Sequence, residues 1–128
     1  MAVEPVPAAT ILMLRDGVGP RPLEVFMVER HHQIDFATGA LVFPGGKADA
    51  GDGDPAVLDR LDGRADDGYM ASIQAAAIRE AFEECGSLLA RAEGADAFVS
   101  AARLAELEPY REKLNSGDVS LAEFLVNE

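Results

Sequence analysis

The sequence predicts an α/β domain, and three observations carry that reading. The first third alternates short apolar, β-branched runs with Gly and Pro breaks, Ala71 to Arg91 is dominated by strong helix formers, and the part from 95 to 128 reads as helical. At 128 residues, of which 48% are apolar, the chain is expected to form one domain, 1–128, around one core.

The elements follow in order. Ala9 to Leu14 is an apolar run with β-branched members, Gly19 to Pro22 (Gly-Pro-Arg-Pro) interrupts it, and Leu23 to Glu29 resumes as LEVFMVE, which predicts a hairpin. His31 to Thr38 reads as a polar loop. A third strand, Ala40 to Phe43, is expected to end at Pro44, which cannot donate to a sheet ladder, and to deliver the chain into a turn at Gly45 and Gly46. From Asp52 to Gly68 the chain is rich in Gly and Asp. Within it, Asp54 and Pro55 make an N-cap and N1 pair for a short helix through Leu61, closed by Gly63. The long helix over Ala71 to Arg91 comes next, with Gly86 alone against it. Pro109 interrupts a helical pattern from Ala97 to Asn115, and Ser120 with Glu123 forms a capping box for a last helix.

Charge narrows the partners. The formal charge of −12, from 23 acidic against 11 basic residues, repels phosphate backbones and anionic lipid heads, so neither nucleic acid nor membrane is an expected partner. A lone cysteine, Cys85, excludes an internal disulfide framework, and the start of the chain has no basic, apolar leader pattern, which together predict a cytoplasmic protein.

On a helical wheel of about 100° per residue, Ala71, Ala75, Ile78, Phe82, Cys85 and Leu89 form one apolar stripe, and Glu80, Glu83 and Glu84 lie opposite it. A solvated face is the plain reading of three such acids. It fits poorly, because Glu80 stands four residues from Glu84 and only Arg79 to Glu83 compensates; like charges at this spacing cost a helix about 0.2–0.5 kcal/mol per pair. A divalent cation among them removes that cost, and oxygen-only donors suit Mg²⁺ or Mn²⁺. Gly45 and Gly46, without Cβ atoms, are suited to bring backbone amides close to a phosphate. Together these features describe a diphosphate held by glycine amides and a metal held by carboxylates.

The run Gly46 … Arg79-Glu80-Ala81-Phe82-Glu83-Glu84-Cys85-Gly86 resembles the Nudix box, which reads Gly, five residues, Glu, seven residues, then Arg-Glu-apolar-any-Glu-Glu-any-Gly-apolar. Asp52 stands at the first acidic position, Ser87 at the last apolar one, and 26 residues separate Asp52 from Arg79 where the compact pattern has seven. An insertion over about 53–70 makes the chain look like the long-insert branch that includes coenzyme A diphosphatases. The resemblance covers Ala9 to about Arg91. It implies a Nudix-like α/β/α sandwich with a mixed sheet, incomplete at the C-terminus because only helical patterns follow Arg91, and hence a chain that associates into an oligomer. It further implies hydrolysis of a small-molecule diphosphate, a nucleoside diphosphate linked to another group such as coenzyme A or an acyl-coenzyme A, with Mg²⁺ or Mn²⁺. Glu80 and Glu84 are then metal ligands, Glu83 a further ligand or the base that deprotonates water, with Glu84 the other candidate for that role, and Arg79 the partner of the acid at 52. Arg30 matches in spacing a basic residue that coenzyme A members carry before the Gly-Gly strand.

Other constellations fit less well. Leu41 to Ala48 lacks the first glycine and the Ser/Thr of a phosphate loop, and Asp49, Asp52 and Asp54 miss the spacing of an EF-hand. His31 and His32 are adjacent and point apart, Cys85 sits on the apolar stripe as packing, and Arg60 and Arg64 are expected to pair with acidic neighbours. The alternative function is a non-catalytic or truncated Nudix-like chain that binds a ligand or partner without turnover.

Overall fold

In the computed structural model, which describes residues 2–30 and 39–128, the strands are short and pair two by two. They are β1 (Ala8–Thr10), β2 (Leu14–Asp16), β3 (Leu23–Val25), β4 (Val28–Glu29), β5 (Leu41–Val42) and β6 (Gly45–Lys47). Among the described residues every pairing is antiparallel: β1 with β6, β2 with β3, and β4 with β5. The polar loop expected at His31 to Thr38 lies outside the described residues.

The strand expected over Ala9 to Leu14 is divided, because its two halves serve different partners. Ala9 and Thr10 face Gly46 and Gly45, whereas Leu14 faces Val25. Between them the Ile11 N–H donates to the Pro44 carbonyl at 2.9 Å, and the Phe26 N–H donates to the Met13 carbonyl at 2.9 Å. Backbone hydrogen bonds thus flank the point where the partner changes. The expected run Leu23 to Glu29 is divided into β3 and β4 for the same reason.

Gly45 and Gly46 are a correction of a different kind. The sequence reads as a turn after Pro44, yet both glycines lie in β6. Pro44, fully buried, loses only its donor and still offers its carbonyl to Ile11. Gly45 has to be glycine here, since a Cβ on it would lie 2.3 Å from the Ala9 carbonyl oxygen across the pair.

After a 3-10 turn over Ala50–Gly53 come α1 (Pro55–Leu58) and α2 (Gly68–Cys85). The Asp54 carboxylate caps α1 by accepting from the Ala56 N–H at 2.8 Å, and that of Asp67 caps α2 by accepting from the Met70 N–H at 2.9 Å. The long helix stops at Cys85 rather than at Arg91. Gly86 adopts φ 69°, a left-handed conformation that glycine takes without a Cβ clash. Its N–H bonds the Phe82 carbonyl at 2.9 Å while Ser87 N–H bonds that of Ala81 at 3.3 Å. Then α3 (Ala101–Leu107), α4 (Tyr110–Ser116) and α5 (Leu121–Asn127) complete the chain, with Pro109 between α3 and α4 and the Ser120–Glu123 capping box opening α5 as expected.

Helix α2 is covered on two sides, so its buried surface is wider than one stripe. Ala71, Ala75 and Phe82 of the expected stripe are buried, Ile78, Cys85 and Leu89 only half-buried, and a second line of Ala76, Ala77 and Ala81 is buried as well. On one side Ala76 and Ala77 pack against Ala9, small residues that let helix and strand approach closely. On the other, Phe82 stacks on Phe124 of α5 with ring centroids 5.5 Å apart and planes 7° from parallel, and Val57, Leu107, Leu114 and Leu121 complete this cluster. Burying such side chains contributes on the order of 1.5–3 kcal/mol each. Among the described residues no helix is long and apolar enough to cross a membrane.

Candidate active site

Arg79 organises the site. It sits on the face of α2 that looks toward β6 and the 3-10 turn, and its guanidinium is almost buried. Nε donates to Asp52 Oδ1 at 2.7 Å and Nη2 to Asp52 Oδ2 at 3.0 Å, a bidentate pair with an aspartate that is fully buried. Nη2 also donates to the Lys47 carbonyl at 3.0 Å. One side chain thus ties the helix, the turn and β6 together across a 26-residue insertion. Asp52 is held from its other side, where Oδ2 accepts from the Asp49 N–H at 2.7 Å.

The third nitrogen of Arg79 faces the glutamates. Nη1 donates to Glu80 Oε1 and to Glu83 Oε2, each at 3.1 Å. The side chains of Glu80 and Glu83 are 12% and 7% exposed, so neither is part of a solvated face. Glu80 lies flat against β6: a Cβ on Gly46 would fall 2.4 Å from its carboxyl carbon, and the absence of that atom is what leaves room for the carboxylate. Glu84 reaches the neighbouring position, where its Oε2 accepts from the Gly45 N–H over a long 3.4 Å.

Electrostatics reflects the crowding. Burial pushes the Glu83 carboxyl above the usual carboxylate range, against the opposing pull of Arg79. Burial also raises Glu84, with the Gly45 N–H pulling down, the Glu80 charge pushing up and Arg30 pulling down. Arg79 itself is held cationic chiefly by its hydrogen bond to Asp52. Glu80 and Glu83 thus share a cation whose strongest bonds go to Asp52, while Glu84 stands beside the Gly45 N–H and Arg30.

No family model matches the chain, and no curated protein matches it. Among solved structures, it is similar to a Nudix hydrolase from Alicyclobacillus acidocaldarius, with 32% sequence identity over 91% of this chain and a TM-score of 0.66. That likeness supports the Nudix reading of the box. The chain spans 54% of the length of that neighbour. The match shows an α/β fold of the Nudix kind.

The Nudix box residues named from the sequence are therefore largely brought together. Gly45, Gly46, Arg79, Glu80, Glu83 and Glu84 lie along the seam between β6 and α2, and the Arg30 charge is close enough to act on Glu84. Of the three aspartates in the Nudix loop, Asp52 alone faces Arg79. Asp49 opens the 3-10 turn and Asp54 caps α1. Arg64 pairs with Asp59 at 3.4 Å, as a basic residue on an acidic chain is expected to.

Glu80, Glu83 and Glu84 offer only carboxylate oxygens, which fit a hard divalent cation. Among the described residues, however, no group of three or more acidic, His or Cys side chains is gathered around one point, because Glu80 and Glu83 turn to Arg79 and Glu84 turns to Gly45.

Sequence reasoning missed Arg111 of α4. Its Nε and Nη2 donate to the Glu83 carbonyl at 3.2 and 3.1 Å, and Nη2 also to the Glu84 carbonyl at 3.0 Å. The available signal was slight: Glu108, three residues earlier, holds Nη1 at 2.6 Å.

Proposed function

We propose that the chain is a metal-dependent hydrolase of a small-molecule diphosphate, with Mg²⁺ or Mn²⁺ held by Glu80, Glu83 and Glu84. The observation that supports it best is that Glu80 and Glu84 border the Gly45-Gly46 strand, with Glu83 beside them on an Arg79 already anchored on Asp52. The bound metal supplies neutralisation of diphosphate charge. Arg79 keeps the helix and the β6 backbone in register, so that the carboxylates and the glycine amides stay on one side of the seam. Glu83 or Glu84, each with a carboxyl raised by burial, takes a proton from the water that attacks phosphorus; the phosphorus–oxygen bond to the leaving phosphate breaks as the new one forms. Arg30 lies beside Glu84 as a contact for substrate phosphate.

The substrate class is a nucleoside diphosphate linked to another group, with coenzyme A and acyl-coenzyme A as the candidates the long insertion favours, in a cytoplasmic setting. A non-catalytic reading, in which the fold binds a ligand or partner, is supported by the exposed apolar side chains Leu14, Leu23 and Leu41 on the strands. One assay separates the two. A diphosphate panel in heavy-oxygen water, followed by phosphorus NMR, should show Mg²⁺-dependent cleavage, coenzyme A yielding 3′,5′-ADP and 4′-phosphopantetheine, with phosphate monoesters inert. Glu83→Gln and Glu84→Gln should each lower the rate at least about 10²-fold. No turnover of any diphosphate with either metal would favour binding without turnover.

A further inference from the structure

The last turn of α2 carries both Glu83 and Glu84, and a helix end is where backbone order is weakest. The final carbonyls of such a helix have no intrahelical donors. In α2 that of Phe82 is met by the Gly86 N–H at 2.9 Å. Those of Glu83 and Glu84 are met from outside the helix, by the single guanidinium of Arg111: Nε and Nη2 on Glu83, Nη2 on Glu84. Arg111 is itself fixed by Glu108, and it packs against the left-handed Gly86, where an added Cβ would lie 3.3 Å from Nη1. Its positive charge also sits at the helix end that favours a cation.

We infer that Arg111 is a positioning residue for the metal site: by holding the backbone carbonyls of Glu83 and Glu84 it fixes where their carboxylates start from. The inference rests on the metal reading above and extends it to α4, a segment outside the box motif. The bonds of Arg111 to the box go to backbone carbonyls, and it stands outside the set of carboxylates. Replacing its fork frees the last turn to fray, which spreads the Glu84 carboxylate over positions that no longer face Glu80. Outer-shell groups of this kind typically change metal affinity by about 10–100-fold.

The test is Mn²⁺ binding followed by electron paramagnetic resonance of the free ion, on the wild-type chain and on Arg111→Met, Arg111→Lys and Leu107→Ala. Leu107→Ala removes buried packing from α3 and touches no α2 carbonyl, so it reports the effect of lost stability alone. Arg111→Met should weaken Mn²⁺ by about 10-fold or more, Arg111→Lys should recover part of that, and Leu107→Ala should stay within about twofold of wild type although its melting temperature falls. Amide exchange at Cys85 to Leu88 should accelerate in Arg111→Met. If Arg111→Met does not fold, Arg111→Lys carries the comparison through loss of the fork geometry, with an intermediate weakening expected. Wild-type affinity in the folded Arg111 variants, or an equal loss in Leu107→Ala, would overturn the role of Arg111 while leaving the metal site standing. A wild-type chain that takes up no Mn²⁺ would overturn the metal reading, and the inference with it.

Discussion

Asp52 and Arg79 are unequal partners, and the inequality can be measured. Asp52 is fully buried with Arg79 as its only cation among the described residues, whereas Arg79 has Glu80, Glu83 and the Lys47 carbonyl besides. Arg79→Met therefore leaves a buried carboxylate uncompensated and should cost about 3–5 kcal/mol. Asp52→Asn keeps an acceptor for the guanidinium and should cost less, about 1–3 kcal/mol. Urea unfolding of the two variants checks the order, and a smaller loss for Arg79→Met would contradict it. The pair was legible in the sequence because both partners are side chains standing at box positions. Arg111 was not, because its partners are backbone carbonyls, and every residue type carries one of those.

At the scale of elements, the two adjacent glycines of β6 serve different ends, and alanine separates them. In Gly45→Ala the new methyl meets the Ala9 carbonyl at 2.3 Å, backbone against backbone, so the β1–β6 pair has to part; a loss of about 1–3 kcal/mol is expected in thermal unfolding. In Gly46→Ala the methyl meets the Glu80 carboxylate at 2.4–2.5 Å, the far end of a side chain that can swing aside. That variant should melt within a few degrees of wild type yet lose Mn²⁺ affinity, which calorimetry would detect; unchanged affinity would mean that Glu80 is not a ligand. The break at Pro109 and the Ser120–Glu123 capping box were readable because caps and breakers act locally, whereas the helix expected over Ala71 to Arg91 runs from Gly68 to Cys85, between the Asp67 cap and the left-handed Gly86. The division of the first two predicted strands was not, since periodicity marks an extended chain but is blind to which neighbour it pairs with. The same blindness made Gly45 and Gly46 look like a turn.

For the whole molecule, the strands leave much apolar surface uncovered. Leu12, Leu14, Leu23, Val25, Phe26 and Leu41 range from 42% to 66% exposed, and among the described residues β2 and β3 each pair on one edge only. Open edges with apolar side chains associate. The isolated 128-residue chain should thus sediment as a concentration-dependent oligomer. Leu14 and Val25 stand directly opposite each other, so Leu14→Thr with Val25→Thr should shift it toward monomer at little cost in melting temperature; a sharp monomer of the unaltered chain would refute this. The α/β class was legible from composition and order of elements, whereas how far the sheet is covered depends on surfaces no local pattern encodes. The bridge from Asp52 to Arg79 has one more consequence. It joins the two ends of the 26 residues between them, so an exposed turn within that span can change length while the chemistry stays in place. Each doubling of a flexible loop costs only about 0.6 kcal/mol. Gly63, exposed and already in a left-handed turn at φ 65°, is then a natural socket for foreign sequence, a point where an epitope or reporter could be displayed without the box noticing.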